Sequence, residues 1–223
     1  MNVAQLIQQL RYDLDDNVAP HLWLDDELLA YLNEAEREAC RRARLLKDTE
    51  TTAVCRITLS DEDDLITVDS RVLYVRRVKI STMTLPLVKK RRDQLDCERP
   101  GWDTESSVTY PEYWVMDTDS SKIRLVPPIN ITSGTVYAYL HVVRLPLADM
   151  TSSGSPEIPA RWHMSMRQWA LYQAWMKQDE DTYNPNKAAI AAAEFEREFG
   201  PRTPAAEEVW INERHGFELE GLY

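Results

Sequence analysis

Apolar residues recur at three- and four-residue steps from Val3 through Leu6, Ile7 and Leu10 to Leu14, which places them on one stripe of a helix that Asn2 can cap. A second stripe, Leu28, Leu32, Ala35, Ala39, Ala43 and Leu46, predicts a helix over residues 25–46. Its Asp26 and Glu27 near the start and Arg41, Arg42 and Arg44 near the end complement the helix dipole. Residues 15–23, with Pro20, read as the turn of a helical hairpin. The period then falls to two: Ala53, Cys55, Ile57 and Leu59 alternate as in a half-buried strand. Further strands are predicted over residues 65–69, 72–80, 84–88, 113–117, 122–126 and 135–143. The acidic run at 61–64 and the Asp-Ser pairs at 69–70 and 119–120 serve as turns between them.

Helical periodicity returns after a Ser-, Gly- and Pro-rich loop at 151–157, with Pro159 suited to a first helical turn. Over residues 162–176 apolar side chains cover nearly every side, which predicts a helix buried on most faces. The last helix starts at Asn184-Pro185, carries the stripe Ala188, Ala192, Phe195 and Phe199, and stops at Gly200-Pro201. These patterns predict an α+β fold: a helical bundle from the N- and C-terminal helices, a mainly antiparallel β insertion and an extended C-terminal arm. The expected bounds are 1–50 for the N-terminal hairpin, 51–150 for the insertion, 151–200 for the C-terminal helices and 201–223 for the arm. The arm carries isolated anchors, Trp210, Ile211, Phe217, Leu219, Leu222 and Tyr223, more than a solvated tail needs, and is expected to dock on a partner.

The chain has 223 residues and a net charge of -11, a balance that argues against generic duplex binding because DNA-binding domains usually present a basic face. Its short basic clusters, Arg41, Arg42, Arg44 and Lys47, and residues 89–92, read as solvated faces or subunit contacts. Three cysteines, Cys40, Cys55 and Cys97, without a CxxC pair suggest neither a disulfide framework nor a zinc knuckle, and suit a reducing cytoplasm. No signal peptide or membrane span is expected.

Phosphate-loop, nucleophile-elbow and zinc-hydrolase signatures are absent, so no catalytic residue, cofactor or metal site is expected. His21, His141, His163 and His215 lie far apart in the chain. One rival reading pairs His163 with the carboxylates of Asp179, Glu180 and Asp181 in a small enzyme; another makes the chain an acidic DNA mimic, against which stand 26 interleaved Lys and Arg. Seven Trp residues are the most conspicuous compositional feature. Trp169 and Trp175 are expected in the core; Trp102, in a Pro-Gly loop, and Trp210 are expected to meet partners.

Three stretches carry a family likeness: Trp23-Leu24-Asp25-Asp26-Glu27 running into Leu32-Asn33-Glu34-Ala35, a strand pair closing on Leu125-Val126-Pro127-Pro128, and the C-terminal helices with Trp169-Ala170-Leu171-Tyr172-Gln173-Ala174 and Phe195-Glu196-Arg197-Glu198-Phe199-Gly200. In their order they resemble the head-to-tail adaptor proteins of tailed bacteriophages. Leu24 departs from the pattern, which often has a small hydroxyl residue there, so capping is expected to pass to Asp25. The resemblance implies a non-enzymatic virion protein of the neck, assembled from the host cytoplasm. It implies a twelve-fold ring beneath the portal protein and a docking surface for a downstream tail or nozzle protein. Genomic DNA would pass through its channel without sequence-specific binding. A head-completion, stopper or tail-tube ring protein is the structural alternative.

Overall fold

A computed structural model describes residues 1–62, 64–117 and 121–208, in two units, one of Met1–Leu46 with Leu145–Arg202 and one built on Lys47–Arg144. In the first, α1 (Val3–Leu14) starts with a full capping box, Asn2 accepting from the Gln5 amide and Gln5 from the Asn2 amide. Its stripe Val3, Leu6, Leu10 and Leu14 is buried. α2 (Asp25–Ala43) buries Leu28, Leu32, Ala35 and Ala39, and stops three residues before the predicted end, with Arg44 as its cap in left-handed conformation. Asp25 does not cap it: Leu24 is the cap residue, without a side-chain bond, and the Asp25 carboxylate accepts from Arg11 at 2.6 Å. Glu27, at the third helical position, accepts from the Leu24 amide instead.

α5 (His163–Met176) packs against α1, α2 and α6 (Pro185–Phe199), which accounts for apolar residues on most of its sides. A single turn of 3-10 helix at Ala160–Trp162 precedes it, where the sequence suggested that the helix itself began. Asn184 caps α6 and Pro185 opens it; the buried stripe is Ala188, Ala191, Phe195 and Phe199, with Ala192 half-buried. Two polar side chains of α2 fasten the connection entering α5. Asn33 exchanges two bonds with the Met150 backbone, at 2.7 and 3.4 Å, and Glu36 accepts from the Glu157 and Ile158 amides at 2.5 and 3.1 Å.

The second unit holds two sheets. In one, β8 (Val136–Arg144) lies between β4 (Val72–Ile80) on one edge and β2 (Arg56–Leu59) and β1 (Leu46–Asp48) on the other. In the other, the order is β3 (Leu65–Thr67), β7 (Lys122–Val126), β6 (Tyr113–Met116) and β5 (Val88–Lys89), antiparallel except for β5 with β6. Three expectations need correction. Residues 52–55 form a helical turn, α3 (Thr52–Cys55), so the strand predicted from Ala53 starts only at Arg56. The strand expected over 84–88 shrinks to Val88–Lys89. α4 (Arg92–Glu98) was invisible to periodicity because it is short and buries a single apolar residue, Leu95.

Candidate functional site

Strand alternation in the β4–β8–β2 sheet sends Val75, Val78, Ile80, Ala138, Leu140, Val142 and Leu59 inward. It sends Tyr137, Tyr139 and His141 of β8 to the other face. The register sets Arg56 and Lys79 on either side of Tyr139, Thr58 beside Tyr137, and Arg77 beside His141. A bulge adds to this face: Val75 pairs with Val142 and Arg77 with His141, so Arg76 is an extra residue on β4. Arg76 and Arg77 are consequently both exposed although they are consecutive, while Val75 and Val78 stay inside. Lys47 of β1 is exposed too.

The electrostatics of this face are one-sided. Within the four strands the only carboxylate is Asp48, which is 8% exposed and held by Arg144 at 2.6 Å. Lys47, Arg56, Arg76, Arg77 and Lys79 have no carboxylate at ion-pair distance among the described residues, though Arg56 lies over the Tyr137 ring at 4.8 Å. Elsewhere cations are matched, as in Arg11 with Asp16, Lys90 with Glu98, Arg99 with Glu105 and Lys177 with Glu27. The unbalanced charge is felt by His141, whose pKa is lowered by burial and then by Arg76, Lys47 and Arg77.

A second surface lies at one end of the helical unit. The loop after α1 and the loop after α5 meet there: Trp23 donates to the Ala174 carbonyl at 3.3 Å and Lys177 to the Leu22 carbonyl at 3.2 Å. Around this junction Val18 is 79% exposed and Leu24 70%, beside Leu22, Met176 and Tyr183, which are also exposed. Asp16 organises the loop from within, accepting from Arg11 at 2.6 Å and from the Leu22 amide at 2.9 Å. An open groove of about 260 Å³ lies between α1, α5 and α6, with Leu171 and Trp175 in its wall, the Arg167–Asp13 ion pair, and Lys187 4.2 Å from the Trp175 ring.

Trp102 does not present a surface to a partner in this chain. It is 5% exposed, packs with Leu95, Val115 and Val126, and donates to Asp96 at 2.8 Å, so its indole is part of the core of the β-rich unit. The remaining anchors, Trp210, Ile211, Phe217, Leu219, Leu222 and Tyr223, lie outside the described residues, as does His215. Nor does the fold assemble the rival catalytic pair. His163 opens α5, 4% exposed and bonded to the Ile158 carbonyl, whereas Asp179, Glu180 and Asp181 follow its far end. Fourteen helical residues put them about 20 Å apart. Among the described residues no His, Cys, Asp and Glu cluster could hold a metal ion, and no helix is long and apolar enough to cross a membrane.

Of the basic clusters visible along the sequence only Lys47 belongs to this face. Lys90, Arg91 and Arg92 are paired with Glu98, Asp93 and Asp117. Arg42 is bound to Glu38 and lies over the Trp169 ring at 4.9 Å. The usable signal was instead that β2, β4 and β8 hold no carboxylate, while their outward positions carry Arg56, Arg76, Arg77 and Lys79 among Thr, Tyr and His.

A family model described as SU10 adaptor protein matches residues 1–211, and the chain belongs to that family of bacteriophage adaptor proteins. No curated protein matches it.

Proposed function

We propose that this adaptor protein works at the neck of the virion, identical copies closing into a twelve-fold ring beneath the portal, extending the DNA channel and offering the docking surface for a tail or nozzle protein. The observation that carries the reading is the family match, which runs through both helical segments and the whole β insertion. The surface supports it. Large apolar residues at the loop end of the helical unit, Val18 and Leu24 above all, are left to solvent in the single chain, as expected of a subunit that finishes its burial on assembly. A ring of this kind uses heterologous contacts, one face meeting a different face of the neighbour. The anchors of the arm, Trp210, Ile211, Phe217, Leu219, Leu222 and Tyr223, are proposed to belong to those contacts or to the contact with portal.

The reading excludes catalysis as the chain's task, because the work is done by interface area and a channel. Sedimentation or native mass measurement of the chain alone and mixed with purified portal tests it. A complex with a fixed number of copies on the portal ring is expected. A chain that stays monomeric and ignores portal, but joins a preformed portal–adaptor complex, would belong one layer further down.

A further inference from the structure

We infer that the outer face of the β1, β2, β4 and β8 sheet binds the phosphate backbone of duplex DNA without reading its sequence. The inference rests on this sheet and not on the ring. Five cations, Lys47 of β1, Arg56 of β2 and Arg76, Arg77 and Lys79 of β4, stand on the three strands that pair with β8 in a chain whose net charge is -11, and none is balanced by a carboxylate among the described residues. Such crowding of like charge works against the folded state unless an anion is brought to it. Strands on either side of β8 are about 10 Å apart and alternate residues of a strand about 6.8 Å, so the cations are spaced to meet several phosphates at once. Tyr137, Tyr139 and Thr58 stand between them, and hydroxyl groups are common donors to phosphate oxygens.

The same composition argues for backbone and against bases. The outward positions hold no Asn or Gln to take adenine and no free carboxylate to take cytosine. The crowding of unbalanced cations favours an anion over an ordinary protein partner, since charge is depleted at the core of a protein interface even though Tyr and Arg are common there. Here the centre of the face is Tyr139, 41% exposed, with Arg56 and Lys79 flanking it.

The test is fluorescence anisotropy of the full chain with a random-sequence duplex of about 30 base pairs, titrated at salt concentrations from about 50 to 200 mM. Binding is expected at the low end, falling steeply with salt and equal within about twofold for duplexes of different sequence. The triple variant Arg76→Ala, Arg77→Ala, Lys79→Ala is expected to lose at least about tenfold in affinity, and its log–log salt slope to fall by about 3. A control with the same charge change, Arg37→Ala, Lys90→Ala, Arg99→Ala, removes cations that are already paired and is expected to shift affinity by less than about twofold. If circular dichroism shows the first variant unfolded, Lys47→Ala with Arg56→Ala on the other edge of the sheet takes its place.

The inference fails if the chain does not bind duplex at low salt, or if both triple variants lose affinity equally. It also fails if a labelled peptide of residues 205–223, which carries five Glu and one Arg, binds while duplex does not. That last result would give the face to an acidic protein segment. The portal assay separates this inference from the ring reading: a triple variant that loses assembly on portal and keeps duplex binding places the face in a protein contact, and overturns the inference while leaving the adaptor intact.

Discussion

Glu36 lies on the buried side of α2, 2% exposed, where an ionised carboxylate is unfavourable unless donors meet it. Burial raises its pKa even though the Ile158 and Glu157 amides pull the other way. What the position needs is an acceptor, not a charge. Glu36→Gln keeps the acceptor and is expected to change unfolding free energy by less than about 1 kcal/mol, whereas Glu36→Ala orphans two amides and should cost about 2 kcal/mol or more in urea melts. Asp48 is the opposite case. Burial would raise its pKa, but the Thr51 hydroxyl, the Thr51 and Glu50 amides and Arg144 outweigh that and hold it well below the usual carboxylate range. Its folded value lies below its unfolded one, so the folded state binds fewer protons. The stabilisation is complete above about pH 4 and is lost as pH falls below it. Asp48→Asn should therefore flatten the acid limb of the stability curve and, at neutral pH, cost about 3 kcal/mol by leaving Arg144 buried without its carboxylate. A variant whose acid unfolding is unchanged would place that limb in other groups.

At the scale of elements, α1, α2 and α6 were legible because each buries a stripe of fixed period, and α1, β4 and α6 begin where pattern and capping residues put them. What escaped was set by tertiary neighbours. Trp23 reads from sequence as part of a turn, yet it is 1% exposed, lies edge-on to Trp175 at 5.9 Å and donates to the Ala174 carbonyl. Trp169, expected in the core, is only half-buried, stacked among Tyr172, Phe195 and Arg42. Trp23→Ala is accordingly expected to cost about 3 to 5 kcal/mol, and Trp169→Ala distinctly less. Thermal melts giving the reverse order would mean that the α5–α6 stack, not the Trp23–Trp175 pair, anchors the bundle. The basic sheet face escaped for a related reason. Arg56, Arg76 and Lys79 are scattered through the chain, and only antiparallel pairing with β8, together with one bulge, gathers them. Charge clusters that are visible along the chain, such as residues 90–92, had meanwhile found carboxylates nearby. A run of like charge in sequence says little about field, because the fold pairs neighbours and assembles strangers.

At the scale of the whole molecule, the acidity of the chain and the basic face of its β-rich unit are not in conflict: net charge sets the long-range field, which salt screens within about 8 to 10 Å, while the face acts at contact. Duplex would then be held only weakly and locally, which suits a conduit better than a clamp. Under the proposed function assembly is carried by other surfaces, and removal of the arm is expected to separate assembly from folding. Among the described residues the bundle core runs from Val3 to Phe199. Deleting residues 209–223 is expected to leave the melting temperature within about 2 °C of the full chain. The same deletion removes Trp210, Phe217, Leu219 and Tyr223, residue types that carry a disproportionate share of binding energy when buried at an interface, and should weaken ring formation or portal binding by at least about tenfold. Sedimentation of the truncated chain with portal, run beside its melting curve, reads both quantities on one sample. Full assembly by the truncated chain would move the ring contacts onto the helical unit, where Val18, Leu22 and Leu24 are the next residues to replace.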